Sequence, residues 1–171
     1  MRMSARWALL VSLTPIAAAT AVTPAELNAL IECRARLSDF IALRALLTAP
    51  ARTDALGWRA LPTINPFMTE YALNRAIDVF GHPTSRIAFA SDSVMAVLDQ
   101  PDPRPLARRL GLHAALDTPK KVLYGREVLS LDVTVPGQSQ NMIESIVLSV
   151  SNVDSHPNKT LVGCGYSLDL P

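Results

Sequence analysis

Two cysteines, 131 positions apart, constrain the fold of this chain more than any other feature of its sequence. In an oxidising compartment, Cys33 in LIECRARL and Cys164 in TLVGCGYSLDLP are expected to form a structural disulfide. Such a bond would staple an early helix to the last strand, and Gly163 and Gly165 would let the helix approach closely. The alternative is a reactive thiol at Cys164, which would need a basic neighbour that the adjacent sequence does not supply.

The N-terminus has the three-part plan of a secretory signal peptide. Two arginines precede an apolar stretch that begins at Trp7, and Ala19 and Ala21 give the A-x-A cleavage pattern. A membrane anchor would need about 20 apolar residues, whereas Pro15 interrupts this stretch early. We therefore expect residues 1–21 to be removed, leaving a periplasmic or secreted protein.

The charge of the mature chain is nearly balanced. Two of the 16 Lys and Arg residues lie in the signal peptide, which leaves 14 basic against 15 acidic side chains. A nucleic-acid partner or an anionic membrane therefore has no strong field to attract it. Residues 22–171 suit a single domain whose core is large enough to fold without a metal or several disulfides, and we expect no cofactor.

Local patterns predict the order of helices and strands. TPAE at residues 23–26 has capping-box spacing, and apolar residues recur at helical steps until Pro50, which predicts one helix of about 24 residues. Asp102 and the prolines after it predict a short second helix that ends near Gly111. Alternating patterns predict the strands. We therefore expect an α+β fold, with the long helix packed across an antiparallel sheet of six or seven strands.

Catalytic motifs are absent from the sequence. No glycine pattern fits a dinucleotide or phosphate loop, and neither G-x-S-x-G nor H-E-x-x-H occurs. The histidines lack the local spacing of metal ligands, so we predict no metal site. The carboxylates are scattered singly, which favours solvated positions over a catalytic pair.

The candidate binding surface combines two turn histidines with the polar residues of the second helix. Loops carried on a rigid sheet are the usual position for binding residues. The residues are His82, Asp102, Arg104, Arg108, Arg109 and His156. For the arginines, the alternative interpretation is a solvated face balanced by neighbouring aspartates.

These observations predict an exported, disulfide-stabilised and non-catalytic binding module. Within that class we expect an inhibitor or an immunity protein directed against an envelope-acting hydrolase, with a protein partner and no transmembrane segment in the mature chain. The alternative is a hydrolase of unfamiliar type that acts on envelope polymers. Two titratable side chains converging in one concave pocket would favour the alternative.

Overall fold

A single antiparallel sheet of eight strands organises the protein. The computed structural model describes residues 22–48, 50–138 and 140–171, and the predicted signal peptide lies outside these ranges. The strands are β1 (Arg59–Ala60), β2 (Thr69–Val79), β3 (His82–Ala90), β4 (Ser93–Leu98), β5 (His113–Asp117), β6 (Val122–Val133), β7 (Met142–Ser151) and β8 (Thr160–Asp169). Their order across the sheet is β1-β2-β3-β4-β8-β7-β6-β5. Two four-stranded meanders therefore meet where β4 pairs with β8.

The helices among the described residues are short. They are α1 (Pro24–Ile31), α2 (Leu37–Leu47), α3 (Pro50–Ala55) and α4 (Arg104–Arg109). The predicted capping box is confirmed, because the Thr23 hydroxyl accepts from the Glu26 amide and the Glu26 side chain accepts from the Thr23 amide. The predicted short second helix is present as α4. No helix in the described part of the chain is long and apolar enough to span a membrane.

The predicted fold class is wrong, because the long N-terminal helix does not form. Helix α1 ends at Ile31, and Cys33 adopts a left-handed backbone with φ of 57°, which turns the chain away from the helix axis. A new helix begins at Leu37, where the Asp39 carboxylate accepts from the Arg36 amide at 2.9 Å. With eight strands rather than six or seven, and only short helices, the fold is mostly β.

Helices α1, α2 and α4 cover one face of the sheet, which we call the front face. Cys164 of β8 is fully buried there, 5.5 Å from Cys33 between Cα atoms, and the two sulfur atoms lie at disulfide distance. Beside it, the Tyr166 hydroxyl donates to the Leu30 carbonyl at 2.6 Å, and the Tyr166 ring stacks on Phe40. The predicted staple between the first helix region and the last strand is therefore confirmed.

The prediction that the glycines beside Cys164 face the helix is wrong. A Cβ atom at Gly163 would lie 2.6 Å from the Met95 Cα, and one at Gly165 would lie 3.2 Å from the Ser93 hydroxyl. Both glycines therefore allow close packing of β8 against β4. Gly163 has the tighter constraint, because its obstacle is the backbone of the neighbouring strand.

The opposite face of the sheet, the back face, is only partly covered. A small second core of Met68, Ala88, Met95, Val97 and Leu161 lies there, with Val153 packed against it. Met68 lies in the segment before β2, and Val153 lies in the connection between β7 and β8. These segments cover the β2–β4 end of the back face, at the opposite end of the sheet from β5.

Candidate functional site

A buried polar network lies beneath the covered end of the back face. Glu70 pairs with Ala88 across β2 and β3, and Arg86 lies two residues before Ala88, so all three share the back face. His156, only 3% exposed, comes from the β7–β8 connection, and its Nε2 lies 2.7 Å from Glu70 Oε1. Arg86 Nη2 donates to the other Glu70 oxygen at 2.6 Å. The carboxylate thus links two strands to a loop.

The same network continues outward to a half-buried serine. Ser155 Oγ lies 2.9 Å from His156 Nδ1. The Asn65 side-chain amide donates to Ser155 Oγ at 3.1 Å, while Asn65 Oδ1 accepts from the Phe67 amide at 3.0 Å. A Glu70 carboxylate that already accepts from Arg86 makes His156 Nε2 the donor nitrogen. His156 Nδ1 is then the acceptor for the Ser155 hydroxyl.

His82 lies in a separate group near α4. Arg109 Nη2 donates to the Phe80 carbonyl at 2.6 Å and lies 2.7 Å from His82 Nε2. The Gln100 side-chain amide lies 2.6 Å from His82 Nδ1. Because a guanidinium can only donate, His82 Nε2 is the accepting nitrogen of the contact with Arg109. The structure therefore brings together His82 and Arg109 of the predicted surface.

Arg104 forms the centre of an adjacent ionic group. It donates to Asp117 at 2.9 Å, to Asp102 at 3.0 Å and to the Thr118 carbonyl at 2.7 Å. Hydrogen bonds from the Tyr124 hydroxyl and from Arg104 lower the pKa of Asp117, and the charge of Arg108 lowers it further. The bond to Asp117 raises the pKa of Tyr124. Most donors of Arg104 are therefore used within the protein.

The predicted surface residues thus fall into two places. Five of them lie in α4 or next to it: His82, Asp102, Arg104, Arg108 and Arg109. His156 is instead buried in the back-face network. Sequence reasoning identified His156 but missed its partners, because Glu70 lies 86 positions away. The adjacency of Ser155 and His156 was the one local signal available.

The β5–β7 end of the back face is uncovered and apolar. Leu116, Leu123 and Val147 are 45%, 42% and 38% exposed. Leu116 of β5 pairs with Leu123 of β6. Gly125 of β6 pairs with Ser149 of β7, and this pair lies between Leu123 and Val147 on the same face. We call these five residues the open back face. Its central glycine and serine leave the surface flat.

An apolar groove of about 540 Å³ lies between α1 and α2. Ala29, Leu30, Ala42, Leu43 and Leu46 line it, and Glu26, Arg34 and Asp39 are its charged members. Glu26 and Asp39 already accept hydrogen bonds at the two helix starts. The two carboxylates at this groove are therefore committed to capping the helices, and Arg34 pairs with Glu32.

Residues 22–48, 50–138 and 140–171 contain no group of three or more His, Cys, Asp or Glu side chains that could hold a metal ion. No protein family, curated protein or solved structure matches the chain.

Proposed function

We propose that the chain is an exported, disulfide-stabilised protein-binding module of the inhibitor or immunity class. Its partner would be an envelope-acting hydrolase, docked on the open back face. The observation that carries this proposal is the exposure of Leu116, Leu123 and Val147 together on one uncovered sheet face. Clustered apolar exposure of this kind is typical of interaction sites, whereas single exposed leucines are not.

The composition of the open back face fits the centre of a protein interface. Interface cores are depleted of charged residues, and the five residues of this face carry no charge. A charged neighbour on the same face is Glu127, which pairs with Val147 across the strands and accepts from the Ser145 hydroxyl at 3.0 Å. Arg104 uses most of its donors within the protein, which makes it a weaker candidate.

The free edges of the sheet support docking on a face rather than strand addition. Strand β1 has two residues, and the pairing of β5 with β6 shifts register between Ala114 and Leu116. Short edge strands and bulges are devices that discourage pairing with another chain. A partner would therefore contact side chains of the open back face.

Export is supported by the disulfide-distance pair of Cys33 and Cys164, because such bonds persist in oxidising compartments. The bond lies on the front face, so it stabilises the sheet without occupying the proposed docking surface. Reduction should therefore affect stability more than the chemistry of binding.

The test begins with capture from an envelope extract by the immobilised mature chain, residues 22–171. The partner is then purified, and its affinity is measured for Leu123→Arg, Val147→Arg and the control Ile41→Arg. Ile41 is an exposed apolar residue on α2, away from the sheet. We expect each back-face change to weaken binding by at least about 30-fold, the factor for a hot-spot residue, and the control to bind like wild type.

Two outcomes would contradict the proposal. In the first, a stoichiometric partner binds the Leu123 and Val147 variants as tightly as wild type. In the second, the chain captures only itself and gel filtration shows a dimer that Val147→Arg dissociates. That result would assign the open back face to self-association.

A further inference from the structure

Ser155 is the half-buried hydroxyl of the network beneath the back face, whereas Glu70 and His156 are buried. We propose that Ser155 is the nucleophile of an acyl-transfer site, with His156 as its general base and Glu70 as the residue that orients His156. This activity goes beyond the binding role and would place the chain in the hydrolase class that the sequence left as its alternative. It uses none of the residues of the open back face.

The direction of the hydrogen bonds fits an activated hydroxyl. The base of a serine nucleophile must accept the hydroxyl hydrogen at one ring nitrogen while its other N–H is held by a carboxylate. Here Nδ1 of His156 lies 2.9 Å from Ser155 Oγ, and Nε2 lies 2.7 Å from Glu70 Oε1. The nitrogens are exchanged relative to the common arrangement, but either nitrogen of imidazole can serve as the base.

Glu70 is fixed more firmly than its bond to His156 alone would allow. Arg86 Nη2 donates to Glu70 Oε2 at 2.6 Å, so each carboxylate oxygen has its own partner. The Glu70 side chain is only 4% exposed. A buried carboxylate with both oxygens engaged holds the imidazole ring in one orientation.

Asn65 places an amide donor beside the attacking oxygen. Its Nδ2 lies 3.1 Å from Ser155 Oγ, and its Oδ1 is anchored by the Phe67 amide at 3.0 Å. An oxyanion formed on a carbonyl attacked by Oγ would lie within reach of that amide. A single donor of this type contributes about 10²–10³-fold to the rate of acyl transfer.

The surroundings of Asn65 indicate the class of substrate. Ile64 and Phe67 are 56% and 83% exposed, so apolar side chains flank the donor on both sides. The cleft of about 370 Å³ at Phe67 is lined by Tyr71, Phe89 and α2 on the front face, so it does not reach Ser155. The exposed side chains of Ile64 and Phe67 alone fit an ester with an apolar acyl group.

The reaction balances with water as the only co-reactant. Ser155 Oγ forms a bond to the carbonyl carbon of the ester while its proton passes to His156 Nδ1. The bond from that carbon to the alkoxy oxygen then breaks, and the alcohol leaves with the proton from Nδ1. Water attacks the acyl-serine and gives a proton to Nδ1. The bond from the carbonyl carbon to Oγ then breaks, Oγ takes the proton back from Nδ1, and the acid is released.

The test uses a fluorophosphonate, which forms a covalent bond with activated serines, on the mature disulfide-bonded chain. Intact mass counts the adducts, and peptide mapping locates them. We expect one adduct per chain, at Ser155, lost in Ser155→Ala and retained in Ser151→Ala. Ser151 is a half-buried serine at the end of β7 and serves as the matched control. An unlabelled wild type, or an adduct that persists in Ser155→Ala, would overturn the proposal.

A second readout separates catalysis from a purely structural role of the network. Hydrolysis of p-nitrophenyl butyrate should fall by about 10²–10⁴-fold in His156→Gln, provided that near-ultraviolet circular dichroism shows the native fold. If that variant does not fold, Asn65→Ala, which leaves Glu70 and His156 in place, should lower the rate by about 10²–10³-fold. Unchanged hydrolysis in a folded variant would mean that the network only holds the loop.

Discussion

The two ends of the sheet are built differently, although their strands belong to one hydrogen-bonded array. At the β2–β4 end, helices cover the front face, and the loops carrying Met68 and His156 cover the back face. At the β5–β7 end the back face is open, and all five residues of β5 are exposed. Covered strands can bury a polar network, whereas uncovered strands can present an apolar surface.

The difference also separates the two proposed activities. The nucleophile proposal depends on burial, because Glu70 and His156 hold Ser155 only where water is excluded. The docking proposal depends on exposure of Leu123 and Val147. Changes that distinguish the two ends therefore test both proposals, and they are given in order of decreasing effect.

The largest effect is expected from removing the disulfide. Cys33→Ser should lower the free energy of unfolding by about 4 kcal/mol, because the bond closes a very long loop in the unfolded chain. Urea unfolding of wild type and variant, each with and without dithiothreitol, measures it. Reductant should shift only the wild type. Equal midpoints for oxidised wild type and variant would show that the staple adds no stability.

A large contrast is expected between two glutamates of the back face. Glu70→Gln should cost about 3 kcal/mol, because it weakens the buried bonds to Arg86 and His156. Glu127→Gln, at the open end, should stay within about 0.5 kcal/mol of wild type. Chemical denaturation of both variants gives the comparison. Similar losses of stability at the two positions would mean that the loops over the back face do not make the two ends of the sheet different.

A smaller contrast is expected between two glycines that flank Ser149 in the sheet. Gly163→Ala should cost about 2 kcal/mol, because the new Cβ meets the backbone of β4. Gly125→Ala has only ordinary contacts, with the Leu148 carbonyl 3.5 Å away, and should be nearly neutral. Thermal unfolding measures both. A neutral Gly163 variant would show that β4 and β8 can separate at little cost.

The smallest effect concerns pH. The hydrogen bond from Arg36 lowers the pKa of Glu144, so this carboxyl binds its proton less readily in the folded state than in the unfolded chain. Its contribution is therefore fully present above the unfolded pKa and is lost as the pH falls through the folded value. Glu144→Gln should lower stability at pH 7 by about 1 kcal/mol and flatten the decline toward pH 3. Parallel acid profiles for the two proteins would exclude this contribution.

Sequence patterns predicted where the first helix begins and missed where it ends. TPAE identified the first residue of α1, because capping depends on neighbouring residues. The break at Cys33 was missed since both α1 and α2 bury apolar residues against the same face, so the helical spacing continues through the turn. Strand β5 was missed because its exposed residues, HAALD, do not alternate and pair only through β6.

The candidate sites were even less accessible to sequence reasoning. His156 was identified as a turn histidine, but its burial depends on Glu70 and Arg86 in strands far away along the chain. The open back face depends on which strands receive cover, and this follows from the order of all eight strands. Such long-range properties have no local signal.

Hydrogen–deuterium exchange on the mature chain tests most directly whether the sheet has one end packed on both faces and one end with an open back face. Amides of β3, β4 and β8 should exchange slowest, because both of their faces are packed, and those of β5 and β6 should exchange considerably faster. Protection of β5 and β6 equal to that of β4 would contradict the division into a covered end and an open end.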